Sequence, residues 1–269
     1  MEKRVGVDVT ESPKIELRNV GKHFRDPNGV TRTVLTGVNL KIAAGDFLCL
    51  LGPSGCGKTT LLNLLAGFEQ PTEGELSIDG QPVTGPHPRH ITIFQDYGLF
   101  PWRTVLDNVT FGLEAKGIDG KNAREIAEQH LERVGLRDVA ARFPHQLSGG
   151  MKQRVSIARA LAVEPDILFM DEPFAALDAF TRLRLQEEIL YLWQEKRPTI
   201  IFVTHDIDEA VYLGRRIAIM SPDPGRLTTV LDVALPRPCD RASPDFFYYR
   251  RKVFQAFKVV HETAPDYVI

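Results

Sequence analysis

The sequence FLCLLGPSGCGKTT occupies residues 47–60 and decides the fold. Its apolar start, residues 47–51, is typical of a strand buried on both faces of a parallel sheet. Residues 52–59, GPSGCGKT, follow directly and fit the pattern G-x-x-x-x-G-K-[ST]. Residues 59–66 then have helical character, and Gly67 ends the helix. A buried strand, this loop and a helix in that order predict a phosphate-binding loop in an α/β fold.

The residue types of this loop suit a polyphosphate. Glycines permit backbone conformations that turn successive N–H groups inward around phosphate oxygens, and the following helix directs its positive end to the same place. The lysine supplies a charge for the β- and γ-phosphates, and the threonine that follows it offers a hydroxyl to Mg²⁺. We therefore predict that a nucleotide is held by Gly52, Ser54, Gly55, Cys56, Gly57, Lys58, Thr59 and Thr60.

A second apolar run, residues 167–170, ends in the carboxylates Asp171 and Glu172. The carboxyl end of a parallel strand faces the crevice in which ligands bind. Asp171 is therefore the candidate to hold Mg²⁺, and Glu172 beside it the candidate to polarise the attacking water. Two acidic residues after a strand are often only a solvated helix start, but together with the phosphate loop they predict the second half of an ATPase site.

Strand and helix patterns alternate along most of the chain. Further strands are predicted at residues 15–20, 33–42, 74–78, 91–94, 199–203 and 216–220. Asp26-Pro27-Asn28-Gly29 has the composition of a hairpin turn. Residues 104–162 are mostly helical in pattern, with Gly135 as a predicted helix end. These elements predict a parallel-sheet core that is interrupted by a helical subdomain.

Composition excludes several classes of protein. The 269 residues include 33 Lys and Arg against 35 Asp and Glu, so no global basic field would attract nucleic acid or anionic lipid. No apolar run approaches the ~20 residues of a membrane span, and the start of the chain lacks the apolar region of a secretory signal. Three cysteines without metal-ligand spacing fit a reducing cytosol. A polyanion must therefore bind at a local site.

Residues 147–154, LSGGMKQR, precede a helical run for which Ser148 is a natural N-cap. An ordinary glycine-containing helix start is the alternative for this motif alone. With the order of the motifs, however, residues 15–220 resemble the nucleotide-binding subunit of ATP-binding cassette (ABC) transporters. LSGGMKQR resembles the family signature, residues 52–60 its Walker A loop and residues 167–172 its Walker B strand.

The resemblance implies a P-loop NTPase (RecA-like) fold, in which a parallel-sheet core carries an antiparallel β subdomain and an inserted α-helical signature subdomain. It implies ATP and Mg²⁺ as cofactors, with Thr59, Gln95 and Asp171 near the metal. Gln95 resembles the Q-loop glutamine, which senses the metal and couples the subdomains. His205 resembles the switch histidine, which orients the γ-phosphate and water, so the catalytic set is Glu172, His205 and Gln95.

Phe24 matches the aromatic residue that stacks on adenine, although it could be a core residue. Asp178 matches the D-loop and could also be a helix N-cap. By the same resemblance two copies pair head to tail. Each ATP then lies between the Walker residues of one chain and Ser148, Gly149 and Gly150 of the other.

The predicted organisation has three parts. Residues 1–13 are a flexible lead, residues 14–236 are the ABC cassette with its helical subdomain at about 97–162, and residues 237–269 are an amphipathic helical tail. The apolar residues of the tail recur at helical spacing. Packing on its own cassette and docking to a membrane surface or permease are both open for this tail. The pattern rests on Phe246, Tyr249, Val253, Phe254, Phe257 and Val260.

Residues 94–102 and 171–182 resemble the nitrate, sulfonate and taurine importer branch of the family. The implied function is to energise uptake of a small anion through a separate permease, at the cytoplasmic face of the inner or plasma membrane. A periplasmic or extracellular solute-binding protein is an indirect partner, and nucleic acid is not a partner. The alternatives are a cassette for export, for lipoprotein release or for a task other than transport. A phosphate-loop kinase or GTPase would leave LSGGMKQR, Gln95 and His205 unexplained.

Cys56 lies inside the phosphate loop at the start of a helix. A thiol in that position is expected to have a lowered pKa. We therefore predict a reactive cysteine whose alkylation blocks ATP binding and which ATP protects.

Overall fold

The computed structural model describes residues 12–262 of the chain, and the side chains of residues 12–259. Strands and helices alternate as the sequence predicts. The strands are β1 (Ile15–Arg25), β2 (Thr31–Ile42), β3 (Phe47–Leu51), β4 (Glu73–Ile78), β5 (Gln81–Pro82), β6 (His90–Ile93), β7 (Ile167–Asp171), β8 (Thr199–Thr204), β9 (Arg216–Ser221) and β10 (Arg226–Asp232). The helices are α1 (Lys58–Ala66), α2 (Val105–Ala115), α3 (Gly120–Arg133), α4 (Gly149–Ala162), α5 (Ala179–Lys196), α6 (Ile207–Leu213) and α7 (Pro244–Glu262).

The main sheet has six strands in the order β10-β9-β3-β8-β7-β6. The five strands from β9 to β6 run parallel, and β10 pairs antiparallel at the edge. Every residue of β3, β7 and β8 is buried, because helices or the second sheet cover both faces of these central strands. Since β3, β8 and β7 are neighbours, the loops that follow them meet at one edge of the sheet.

The second sheet is antiparallel, in the order β2-β1-β4-β5. The hairpin between β1 and β2 turns at the predicted residues, where Gly29 has φ 84° and donates from its N–H to Asp26 O at 3.0 Å. β1 extends to Arg25, beyond the predicted end at residue 20. Irregular pairing between residues 17 and 23 explains the difference, because it interrupts the alternation of buried and exposed side chains.

Three helices, α2, α3 and α4, form the predicted helical part, and they pack on one another. Each begins at a capping side chain: Thr104, Asp119 and Ser148. Gly135, with φ 68°, follows the end of α3 as predicted. A parallel core sheet, an antiparallel sheet and an inserted helical part together confirm the predicted fold class.

The tail helix α7 packs against α6, β9 and β10. Phe246 and Val253 are buried there, and Tyr249 and Phe257 are partly buried in the same cluster, whereas Phe254 faces outward. The side chain of Val260 is outside the described part of the structure, and so are residues 1–11 of the predicted lead. The boundaries of the three predicted parts stay a prediction. No helix in the described chain is long and apolar enough to cross a bilayer.

Candidate functional site

The phosphate loop connects β3 to α1 in a conformation that depends on its glycines. Gly55 and Gly57 have φ of 78° and 93°, in the left-handed region that glycine adopts without strain. Gly57 is the N-cap of α1 and provides no side-chain hydrogen bond. The first N–H groups of α1 therefore have no capping side chain, which is the arrangement that receives an anion.

Lys58 is buried at the start of α1. Its ammonium donates to Gly52 O at 2.8 Å and to Pro53 O at 2.9 Å. The same residue lines the cleft beside the loop. Its positive charge is therefore held next to the position where the glycines would place a phosphate group.

Asp171, the last residue of β7, reaches across to the phosphate loop. Its Oδ2 accepts a hydrogen bond from Thr59 Oγ1 at 2.8 Å, and its buried Oδ1 has no hydrogen-bond partner among the described residues. Burial raises the pKa of this carboxyl group. A hydroxyl and a carboxylate with an unsatisfied buried oxygen are the hard oxygen donors that Mg²⁺ prefers, so these residues fit the implied metal.

Glu172 follows Asp171 and turns out of the strand. Its φ is 45°, an uncommon value for a residue with a side chain, and its N–H donates to Val203 O at 3.1 Å. Its Oε2 lies 3.2 Å from Nδ1 of His205, the first residue after β8. The two residues are 33 positions apart in sequence, and the pairing of β7 with β8 brings them together.

A cleft of about 350 Å³ lies between the phosphate loop, Gln95 and Glu172, and neither Asp171 nor His205 is among the residues that line it. Eight predicted residues line it: Ser54, Gly55, Gly57, Lys58, Thr59, Thr60, Gln95 and Glu172. Arg32 and Val34 of β2 also line it and were not predicted. The signal for Arg32 was the predicted hairpin turn, because the hairpin is centred on Asn28 and this register pairs Phe24 with Arg32.

Phe24 is 40% exposed, so the alternative of a core position for it is wrong. The Lys22 ammonium lies 4.9 Å from the centroid of the Phe24 ring and is paired with Glu69 at 2.8 Å. In an antiparallel pair, directly opposite residues share a face, so Phe24 stands beside Arg32 next to the cleft.

Gln95 lies on the exposed loop that follows β6. This loop is attached to α4, because the guanidinium of Arg159 donates to Gly98 O at 2.7 Å and to Tyr97 O at 3.2 Å. One loop therefore joins a cleft residue to the helix that begins with the signature motif.

Ser148 caps α4 by accepting a hydrogen bond from Met151 N at 3.3 Å, and Gly149 and Gly150 form the first turn of that helix. Ser148 and Gly149 are exposed. In the described part of the chain, the residues that line the cleft do not include this motif. Asp178 caps α5 and accepts from Thr181 N at 3.0 Å, as the N-cap alternative predicts.

The predicted low pKa of Cys56 is wrong. The thiol is almost completely buried, and burial raises its pKa. The nearby Lys58 charge acts in the opposite direction but is the smaller influence. A helix start therefore does not activate a thiol that is removed from water.

Comparisons with known proteins agree with this geometry. A profile of the ABC transporter family matches residues 35–175. An uncharacterized ABC transporter ATP-binding protein of Methanocaldococcus jannaschii is 49% identical over 245 residues, which are 91% of each chain.

Two relatives have names that state what they import. The nitrate import ATP-binding protein of Synechococcus elongatus is 46% identical and aligns over 82% of each chain. The aliphatic sulfonates import ATP-binding protein of Bacillus cereus is 45% identical over 91% of this chain and 96% of its own.

A dimeric ATP-binding cassette in a post-hydrolysis state, bound to ADP and Pi, has a similar solved structure. Its TM-score is 0.75 at 34% identity, over 81% of this chain and 98% of that chain. A family profile over half of the sequence, relatives at this identity and a cleft built from the family's motifs lead to one conclusion. The chain belongs to the ABC transporter family, as an ATP-binding ATPase subunit.

Proposed function

We propose that this chain hydrolyses MgATP at the cleft beside the phosphate loop and thereby energises import of a small anion: a sulfonate, taurine or nitrate. The contact between Thr59 and Asp171 carries this proposal, because it joins the loop and the carboxylate strand into one site. The names of the nitrate and sulfonate import relatives support the choice of substrate class.

Binding of ATP uses groups that already converge. The N–H groups at the start of α1 and the ammonium of Lys58 contact the phosphates, and Phe24 stacks on the adenine ring. Thr59 and Asp171 would hold Mg²⁺, which would neutralise charge on the phosphates, and Gln95 lines the same cleft from its loop.

Hydrolysis needs a group that accepts a proton from the attacking water. Glu172 lines the cleft, and its carboxylate is oriented by His205 at 3.2 Å. We assign Glu172 as the general base and His205 as the residue that orients the water and the γ-phosphate.

A second copy of the chain completes the site in this proposal. At the start of α4, Ser148 and Gly149 are exposed and Gly150 is partly exposed, and none of the three lines the cleft of its own chain. A helix start of this kind suits a phosphate presented by another molecule. The dimeric form of the structurally similar cassette supports a dimer here.

A permease is the second partner that we propose, which places the chain at the cytoplasmic face of the membrane. An aromatic patch lies near the loop of Gln95 and includes Trp102, which is 72% exposed, and Phe111. The Arg103 guanidinium lies 4.8 Å from the Phe111 ring centroid. Exposed apolar patches of this kind mark sites of protein contact.

Glu172→Gln tests the catalytic assignment. The variant should bind MgATP as the wild type does, accumulate as an ATP-bound dimer and lose at least about 100-fold in turnover, because the general base is removed. Phosphate release and size-exclusion chromatography with ATP measure these properties. Glu125→Gln, an exposed position on α3, is the control. Turnover near the wild-type value in Glu172→Gln would remove Glu172 as the base.

Growth of a deletion strain tests the substrate class. The strain should fail to grow with taurine or aliphatic sulfonates as the sulfur source, or with nitrate as the nitrogen source. The wild-type gene should restore growth, and the Glu172→Gln gene should not. Normal growth on all of these sources would contradict the proposal of anion import.

A further inference from the structure

Glu209 of α6 is a buried carboxylate that the proposed hydrolysis does not use. It is only 8% exposed, yet both of its oxygens are engaged. Oε2 accepts a hydrogen bond from Thr204 Oγ1 at 2.7 Å, and Oε1 accepts one from Gln186 Nε2 at 3.3 Å. A buried carboxylate is strongly destabilising unless it is paired in this way.

Thr204, whose hydroxyl group donates to Glu209, is the neighbour of His205 in sequence. Thr204 is the last residue of β8, and His205 follows it directly. Besides donating to Glu209, Thr204 Oγ1 accepts from the N–H of Asp206 at 3.0 Å. One side chain thus links the residues on both sides of His205 and fixes the backbone from which its imidazole extends.

Glu209 also connects to the loop before α5. Arg182 Nε lies 3.9 Å from Glu209 Oε1, and Arg182 Nη2 donates to Leu177 O at 3.3 Å. Leu177 precedes Asp178, the residue assigned to the D-loop by resemblance. Glu209 therefore lies between two loops of the proposed site.

The C-terminal segment, residues 233–243 between β10 and α7, contacts the same network through Arg241. The guanidinium of Arg241 donates to Gln186 Oε1 and stacks on the buried Tyr212 ring of α6, 3.7 Å from its centroid. An amide has one acceptor and one donor end, so this contact turns Nε2 of Gln186 toward Glu209. Arg250 of α7 pairs with Asp208, also on α6, at 2.5 Å.

We propose that Glu209 is a positioning residue for His205, and that Arg241 of the C-terminal segment keeps Glu209 in place through Gln186. The inference rests on the role proposed above for His205. It gives the segment between β10 and α7 an effect on ATP turnover without any contact with the nucleotide.

Arg241→Ala is the first test. We expect the kcat of MgATP hydrolysis to fall about three- to tenfold, as for the loss of one hydrogen bond, with KM for ATP within about twofold of wild type. The midpoint of thermal unfolding should stay within about 3 °C, since Arg241 is only half-buried. Arg241→Lys retains a donor and should recover part of the kcat. Arg251→Ala, at an exposed position of α7, is the control and should behave as wild type.

A double-mutant cycle tests whether Arg241 and Glu209 affect kcat through the same interaction or independently. Glu209→Gln retains the shape of the side chain but removes its charge, and it should lower kcat on its own. Arg241→Ala should then add little further loss in the Glu209→Gln background. Wild-type kcat in Arg241→Ala, or full additivity in the double variant, would overturn the inference. If Glu209→Gln fails to fold, the kcat and KM of Arg241→Ala and Arg241→Lys decide the question.

His205→Ala separates a failure of this inference from a failure of the role proposed for His205 in hydrolysis. If His205→Ala turns over ATP normally, the assigned role of His205 fails, and this inference fails with it. If His205→Ala is inactive while Arg241→Ala and Glu209→Gln have wild-type kcat, only the inference about Glu209 and Arg241 fails.

Discussion

Lys58 is a charged side chain that the fold removes from water. It is 6% exposed, and two carbonyl oxygens of the phosphate loop accept hydrogen bonds from its ammonium. A buried ammonium without such partners would be strongly destabilising. The motif predicted this residue and its task, because the chemistry of the loop depends on residue type. It did not predict Arg32 and Val34, because their place in the cleft depends on how β2 packs against the phosphate loop, which the motif itself does not specify.

Removal of the Lys58 charge should weaken nucleotide binding. Lys58→Ala should lower the affinity for a fluorescent ATP analogue by at least about tenfold, since a hydrogen bond to a charged group contributes about 1.5–3 kcal/mol. Fluorescence titration measures the dissociation constant. Lys121→Ala, at an exposed position on α3, is the control. An unchanged dissociation constant in Lys58→Ala would show that Lys58 does not contact the phosphates.

Burial should make Cys56 slow to react, in contrast to the expectation from its sequence position. Because the thiolate is the reactive form, a raised pKa lowers the rate of alkylation. With iodoacetamide at pH 7.5, the half-buried Cys239 should be modified before Cys56. Mass spectrometry of peptides over time measures both rates in one sample. Faster modification of Cys56 than of Cys239 would mean that the loop opens readily in solution.

Buried elements were the most predictable part of the fold. The range of β3 agrees with its apolar run, since a strand covered on both faces consists of apolar residues and little else. The end of β1 was missed because irregular pairing breaks its alternation. Two-residue β5 and the edge strand β10 were not predicted, because their residues are largely exposed and leave little apolar signal.

The tail helix α7 offers a matched pair of positions. Val253 is 0% exposed where α7 packs on the cassette, whereas Phe254 is 55% exposed. Val253→Ala should lower the free energy of unfolding by about 2 kcal/mol, because it removes buried methyl groups and leaves a cavity. Phe254→Ala should change it little. Urea denaturation measures both, and equal effects of the two substitutions would contradict the observed packing of α7.

Over the whole molecule, the cleft is assembled from segments far apart in the chain. β2, the phosphate loop, the start of α1, the loop after β6 and Glu172 after β7 all contribute to its lining. The rule that ligands bind at the carboxyl ends of parallel strands predicted that Asp171 and Glu172 face the ligand crevice, whereas Thr59 was predicted from the phosphate-loop motif and His205 from the family resemblance. The closeness of Glu172 to His205 further requires that β7 and β8 be neighbours, a strand order that no local pattern specifies.

The stability of the whole molecule should depend on pH through His130. Burial, together with the neighbouring Arg133, lowers the pKa of His130 from 6.5 to about 4. Between these values the unfolded chain binds a proton that the folded chain does not. The contribution of His130 to the free energy of unfolding is therefore fully present above about pH 6.5 and is lost as the pH falls toward 4.

His130→Gln removes this contribution. Between pH 7.5 and pH 5, its free energy of unfolding should decrease less than that of the wild type. Part of the decrease should remain, because burial also lowers the pKa of His90 to about 4. Urea denaturation at the two pH values makes the measurement, with the exposed His145→Gln as control. An equal decrease in His130→Gln and in the wild type would contradict the assignment.

The two hydrogen bonds from Arg159 to the loop after β6 have a mechanical consequence. Gln95 is two residues from Tyr97 on that loop, and Ser148 is at the other end of the helix that carries Arg159. Any rotation of α4 against the main sheet must therefore either carry the loop of Gln95 with it or break both bonds. The helix and the loop are thus joined into one unit, so that a displacement of the signature motif at the start of α4 is coupled to a displacement of Gln95 in the nucleotide cleft.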